Sequence, residues 1–304
     1  MKAAICLLAV LAFAALPAAA QQKLNVTATT GMVADLVRQV GGDRVQVEAL
    51  MGAGVDPHLY KATASDVARL QRARLVFYSG LMLEGQMAEL FDRLAQRGRK
   101  VFAITAGIPA DKLLKPGDAG GHPDPHVWGD AEMWSLCAAT VAKALTEADP
   151  GGGAEYAKRA EAHRAELLKL HAWAKERVQV ISAAQRTLIT SHDAFNYLGR
   201  AYGLEVIGVQ GISTVTEAGL ADIAKVTDFI RKKNVKAVFV ESSVPKAAIE
   251  RISKDSGAKI GGELFSDALG TAGKMHTVAG ETYDEGTVVG MLKQNINTIV
   301  EALK

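Results

Sequence analysis

The segment "DPGGGAEYAKRAEAHRAELLKLHAWAKERVQVISAA", which begins at Asp149, constrains the fold more than any other part of the chain. After the break at Pro150 to Gly153 it is dense in Ala, Glu, Lys, Leu and Arg, all strong helix formers. Leu167, Leu168, Leu170, Trp173, Ala174 and Val178 recur at helical spacing. A helix of about 25 to 30 residues would run about 40 Å, long enough to traverse a domain. The segment therefore reads as a rigid rod between two lobes. The alternative is an ordinary surface helix packed on one lobe.

The flanking sequence supports the rod. Short runs rich in Val, Ile and Phe alternate with amphipathic stretches on both sides, the pattern of βα units around a mainly parallel sheet. Strands are expected at 24–28, 45–50, 75–79 and 101–105, with helices at 31–40, 63–73 and 84–97. Gly41-Gly42 supplies a stop for the first helix. Beyond the rod, strands are expected at 187–191, 205–209, 236–241 and 259–263, with helices at 193–202, 217–233, 245–256 and 287–303. The fold class is thus α/β: two βα lobes with mainly parallel sheets, joined by a single long backbone helix. The expected divisions are 1–20 a signal peptide, 21–149 an N-terminal lobe, 150–180 the connecting helix and 181–304 a C-terminal lobe.

The signal peptide follows from the first residues. Lys2 gives a positive start, and Ile5 to Leu16 is apolar but too short to span a bilayer core of about 30 Å. Ala18-Ala19-Ala20 offers a small-residue cleavage site. Cys6 lies at the start of the apolar run instead of just after it, so no lipid-attachment site is read and a periplasmic chain is expected. Cleavage after Ala20 leaves Cys137 as the one thiol, without an internal disulfide, and its small apolar neighbours predict a buried structural residue. The chain carries 35 Lys and Arg against 33 Asp and Glu, and this balance argues against a nucleic-acid partner.

The seven histidines separate by context. His163 and His171 fall among charged residues of the rod and are expected to be exposed. His276 lies in a Gly-rich stretch that reads as a mobile loop, and His122 in "DAGGHPD" reads as a loop residue able to make a weak surface metal contact. His58, His126 and His192 each lie at or beyond the carboxyl end of an expected strand, where open α/β sheets place ligand sites, and so does Asp267. Two come from each half of the molecule, the distribution that a cleft site needs. Three imidazoles and a carboxylate fill a four-coordinate zinc shell and leave little room for the water that catalytic zinc keeps. The set points to capture of an ion rather than chemistry on it.

Two of these histidines share a corner, Asp56-Pro57-His58 in "VDPHLY" and Asp124-Pro125-His126 in "PDPHVW". Proline fixes its own φ and pushes the preceding residue out of the helical region, so each imidazole sits on a stiff turn. Leu59-Tyr60 and Val127-Trp128 can bury against the lobe, and the aspartates can bond backbone amides or orient an imidazole. The plainer alternative is that these turns only begin helices capped at Thr63 and Asp130. Asp193 is read as a helix cap in preference to a ligand, and Glu241 as either a partner behind a ligand or a structural hydrogen bonder. No G-x-G-x-x-G, P-loop or G-x-S-x-G motif is present, which excludes the usual nucleotide-binding and serine-hydrolase readings. A secreted metallohydrolase using Glu241 as base is the competing class.

The motifs "DPHLYKATASDVARL", "LVFYSGLMLEG", "DPHVWGD", "SHDAFNYLGRAYGLEVIGVQGIST", "VFVESSVP" and "GGELFSDALG" occur in an order that resembles a known family. The family is the periplasmic metal-binding receptors of bacterial zinc and manganese ABC transporters, the cluster 9 solute-binding proteins. The resemblance runs from about Leu24 to the end of the chain. It implies two βα lobes on one backbone helix, an interlobe metal held by His58, His126, His192 and Asp267, and delivery to a membrane permease. It also implies a non-enzymatic, monomeric receptor, with adhesion leaving no trace in the sequence. Family members dedicated to zinc often carry a long His- and acid-rich loop before the second ligand, which 116–125 lacks. Those tuned to manganese often carry Glu where His192 stands. With the intrinsic order of metal affinities, the expectation is zinc (Zn2+) first, manganese (Mn2+) second and iron third.

Overall fold

The computed structural model describes residues 23–117 and 121–304; the signal-peptide reading and Cys6 lie outside them. The first lobe is built on four strands, β1 (Leu24–Ala28), β2 (Val45–Ala49), β3 (Leu75–Tyr78) and β4 (Val101–Ala103), in the order β2-β1-β3-β4 and all parallel. Parallel strands need crossovers. Three helices supply them: α1 (Gly31–Gly41), α2 (Ala64–Arg72) and α3 (Ala88–Gln96). Helix α1 ends at Gly42, whose φ of 54° is free of cost for glycine. Helix α2 opens with a capping box in which Thr63 accepts from Asp66 N and the Asp66 carboxylate accepts from Thr63 N.

The fourth strand and the third helix are shorter than their sequence runs. The run through Thr105 leaves the sheet at Ala103 and turns into a 3-10 segment, Ile104–Gly107. The third helix begins only at Ala88, because buried Glu84 accepts from Thr29 Oγ1, Ser79 N and Gly80 N and so belongs to the loop before it. An element that the strand and helix ranges omitted is α4 (Ala131–Ala148), capped by Asp130, which accepts from Glu132 N and Met133 N. Both expected caps, Thr63 and Asp130, are therefore present, and they coexist with the histidine corners that precede them.

Helix α5 (Gly153–Val178) is the rod, 26 residues long. Its buried residues, Tyr156, Ala160, His163, Leu167, Leu170, Ala174 and Val178, recur every three or four positions. The stripe enters two cores: Tyr156, Ala160, Leu167 and Leu170 pack in the first lobe's cluster, and Ala174 and Val178 in the second's. A helix lying on one lobe alone would not divide its apolar face in this way. The division also corrects the reading of the rod histidines. His163 is 5% exposed and on the buried stripe. His171 is half-buried, its Nδ1 3.1 Å from Asp130 Oδ1.

The second lobe contains β5 (Thr187–Thr190) paired with β6 (Glu205–Gly208), and β7 (Ala237–Glu241) paired with β8 (Lys259–Leu264), each pair parallel. Helices α6 (Asn196–Tyr202), α7 (Leu220–Lys233) and α8 (Ala247–Ser256) connect them. Asp193 does not cap α6, which starts three residues later behind Phe195 without a side-chain cap. The stretch around His276 is an antiparallel hairpin, β9 (Met275–Val278) with β10 (Glu281–Asp284), and not a loop. Gly280, with φ 82°, closes its turn. The last helix, α9 (Val288–Leu303), also serves both cores, with Val288, Met291 and Leu292 in the first and Ile296, Ile299, Val300 and Leu303 in the second. Helices α5 and α9 thus tie the lobes together. Cys137 is fully buried on α4, and burial pushes its thiol up, as a structural cysteine requires. No helix among the described residues is long and apolar enough to cross a membrane.

Candidate metal centre

Each of the four singled-out residues sits where a strand or corner delivers it to the cleft. His58 lies beyond β2, His192 directly after β5 and Asp267 after β8, all toward carboxyl ends of parallel strands. His126 ends the long connection from β4 and starts the 3-10 turn Val127–Gly129. In both Asp-Pro-His corners the aspartate closes an Asx turn, with Asp56 Oδ1 accepting from His58 N at 2.8 Å and Asp124 Oδ1 from His126 N at 2.9 Å. The repeated tripeptide is therefore one local device used twice.

The second corner buries its neighbours as expected, with Val127 at 0% and Trp128 at 3% exposure. The first does so only in part, since Leu59 is 51% exposed while Tyr60 is half-buried against the cluster of Leu70 and Phe91. Trp128 reaches across the cleft and donates from Nε1 to Ser266 O at 2.8 Å, one residue before Asp267.

The side chains converge. One potential ligand atom from each of His58, His126, His192 and Asp267 lies within 4.8 Å of every other, and all four residues are buried. His58 Nε2 is 3.3 Å from His126 Nε2. The Asp267 carboxylate faces all three rings, at 3.0 Å from His192 Nε2, 3.3 Å from His126 Nε2 and 3.7 Å from His58 Nε2. Despite these approaches, among the described residues His192 Nε2 and both Asp267 oxygens have no hydrogen-bond partner of acceptable geometry. Buried polar atoms normally find partners, because leaving one without costs about 1–3 kcal/mol. Atoms turned toward one point and left unpaired by the protein are the arrangement that a bound cation satisfies.

Two of the rings are held from behind. Asp124 Oδ1 stands 2.7 Å from His126 Nδ1, and Glu241 Oε2 stands 2.5 Å from His192 Nδ1 while its Oε1 accepts from His192 N at 2.8 Å. A carboxylate on Nδ1 fixes the tautomer that leaves the Nε2 lone pair free. Glu241 thus fills both roles considered for it. Among the described residues no carboxylate bonds His58 Nδ1; the second oxygen of Asp56 instead accepts from Thr214 Oγ1 at 2.6 Å.

The electrostatics follow from the packing. Burial pulls the His58 ring down to about 4. Burial also opposes charge on His126, but the Asp124 and Asp267 carboxylates outweigh it and hold this ring at about 9. His192 is likewise raised by Glu241 and Asp267 against burial. Asp267, which burial alone would raise, is held well below the usual carboxylate range by the His192 and His126 rings.

Other histidines stay apart from this cluster. His122 is exposed beside the cleft and His276 faces Glu285, with Nδ1 3.8 Å from Oε2. The supporting residues Thr214, Asn196 and Tyr197 escaped the sequence reading. Asn196 Nδ2 donates to Asp124 Oδ2 and Tyr197 Oη to Asp124 O, both at 3.1 Å. Their position just after "SHD" was the available signal.

Comparison with known proteins identifies the family. The family model described as zinc-uptake complex component A periplasmic, ZnuA, matches residues 26–302. The zinc-binding protein TroA of Treponema pallidum is 42% identical over 297 residues, covering 96% of this chain and 92% of that protein. The manganese-binding lipoprotein MntA of Bacillus subtilis is 40% identical over 290 residues, covering 94% of this chain and 91% of its own. The solved structure of the Treponema pallidum protein superposes with a TM-score of 0.86, covering 92% of this chain and 99% of that one. The chain therefore belongs to the ZnuA family.

Proposed function

We propose that this protein is a periplasmic receptor that captures one divalent transition-metal ion between its lobes and delivers it to an ABC permease in the inner membrane. The ligands are His58, His126 and His192 through Nε2, and Asp267 through its carboxylate. The observation that carries the reading is the buried convergence of these four groups with unpaired atoms facing one another. Zinc is the preferred cargo and manganese the second, because three neutral imidazoles and one carboxylate suit zinc and the affinity order favours it. The names of the relatives, zinc-binding for TroA and manganese-binding for MntA, support the same pair.

We assign 21–149 to the first lobe, 150–180 to the connecting helix and 181–304 to the second, in a monomer exported through a cleaved signal at 1–20. A metallohydrolase using this cleft loses its base, since Glu241 faces Nδ1 of His192, the side of the ring away from the other three ligands. The test is elemental analysis of untagged protein followed by zinc against manganese competition. About one zinc per chain is expected, and metal content unchanged by His58→Ala with His192→Ala would overturn the assignment.

A further inference from the structure

Three observations set His58 apart from the other proposed ligands. A cavity of about 420 Å³ reaches the centre at His58 and is lined by Leu81, Met82, His122, Ile212 and Val215, but by none of His126, His192 and Asp267. Among the described residues no carboxylate stands behind Nδ1 of the His58 ring, whereas His126 and His192 each have one. The two corners also differ in how they are tied to the opposite lobe. Asp124 is fixed by Asn196 and Tyr197, and the same corner is fixed by Trp128 to Ser266 O. For residues 50–62 the one hydrogen bond to the second lobe, among the described residues, is Thr214 Oγ1 to Asp56 Oδ2 at 2.6 Å.

The two walls of the cavity are held unequally. On one side Gly80, Leu81 and Met82 have φ of 94°, 54° and 67°, a run costly for non-glycine residues and maintained by Glu84 accepting from Ser79 N and Gly80 N. On the other side lies the strap 209–219 between β6 and α7. Its base is bonded at Gln210 N to Ser191 O and at Gly211 O to Asp193 N. Beyond that it carries local bonds, Gln210 Nε2 to Thr216 O and Val215 N to Ser213 Oγ, and the cross-cleft bond from Thr214. Ile212 and Thr214 are each 6% exposed while Val215 is 57% exposed, so the strap buries one face and presents its outer edge to solvent, and Ile212 and Val215 line the cavity together with His58.

We infer that the ion enters and leaves past His58 through a gate formed by the strap 209–219, and that the Thr214 hydroxyl is its latch. His126, His192 and Asp267 form the fixed cradle. Thr214 is a positioning residue: its bond to Asp56 holds the corner that carries His58, so breaking that bond frees the strap and the ring together. The inference rests on the metal-receptor reading and adds the route of exchange.

The test is stopped-flow zinc exchange on the mature full-length protein, with loading from free zinc and unloading into excess chelator. Thr214→Val is expected to speed release about tenfold, the worth of one hydrogen bond to a charged acceptor. It speeds capture as well, so the equilibrium affinity moves less than the release rate; a merely structural role would lower the melting temperature without that split. Thr214→Ser restores the wild-type rates, and Thr277→Val, which removes an exposed hydroxyl on the β9–β10 hairpin, leaves them unchanged. Thr214→Ala removes the same latch with less bulk and carries the same expectation. One zinc per wild-type chain with wild-type release rates in Thr214→Val and Thr214→Ala overturns the gate alone. A wild-type protein that takes up no zinc overturns the receptor reading and the gate with it.

Discussion

Replacing Glu241 by Gln keeps the shape of the side chain and removes its charge, which makes it a sharp probe of how the centre is held. In the native arrangement both carboxylate oxygens accept, one from His192 N at 2.8 Å and the other facing His192 Nδ1 at 2.5 Å. The site is fully buried, so water does not substitute for a lost partner. A glutamine has one acceptor. Its amide nitrogen must therefore face either the His192 backbone N–H or Nδ1, donor against donor. The ring escapes the second clash only by moving its proton to Nε2, the atom that the metal needs. An unsatisfied buried donor costs about 1–3 kcal/mol. Loss of a partner behind a metal-bound histidine typically lowers affinity about 10- to 100-fold, or about 1.4–2.7 kcal/mol. The two routes agree. Zinc competition against a chromophoric chelator at fixed pH should show this loss, together with a lower melting temperature of the metal-free protein. Zinc binding within twofold of wild type, by a folded variant, would refute the argument that Glu241 sets the His192 tautomer.

Further outcomes follow from the same geometry. Because the metal-free His126 ring is held at about 9, it carries a proton at pH 7 that zinc must displace. Calorimetry in buffers of different ionisation enthalpy should record proton release, with affinity rising toward pH 9; affinity flat from pH 5 to pH 8 contradicts histidine ligation. The raised value also means that His126 stabilises the metal-free fold fully below about pH 6.5 and that this contribution is lost as pH rises through about 9. The gain in melting temperature on adding zinc should therefore widen between those limits. At a free zinc concentration of about 1,000 Kd the added stability is about 4 kcal/mol, read by differential scanning calorimetry. Leu167→Ala, fully buried on α5, should cost about 2–5 kcal/mol in chemical denaturation while the folded protein keeps its zinc stoichiometry.

Much of the fold was legible because its causes are local. Apolar runs and helical periodicity placed most of the strands and helices, and the rod between the lobes, within a few residues. Proline stiffening and the Asx turn made the two Asp-Pro-His corners readable, and with His192 and Asp267 at strand ends they named all four converging residues. Errors arose where distant packing overrode local character. His163 has charged sequence neighbours, yet it lies on the α5 face that enters the first core. Asp193 precedes a helical run, but α6 begins at Asn196. The stretch at His276 is rich in glycine, yet it pairs as a hairpin. The sequence by itself determined the α/β class, the two-lobed plan and the identity of the cluster. Only the tertiary structure decided that Glu241 and Asp124 stand behind two of the rings, that α9 joins α5 in spanning both cores, and that Thr214 crosses the cleft to Asp56. Periodicity and turn chemistry are written in neighbouring residues, whereas a buried hydrogen-bond partner is chosen by proximity in space, and no local pattern records which one it is.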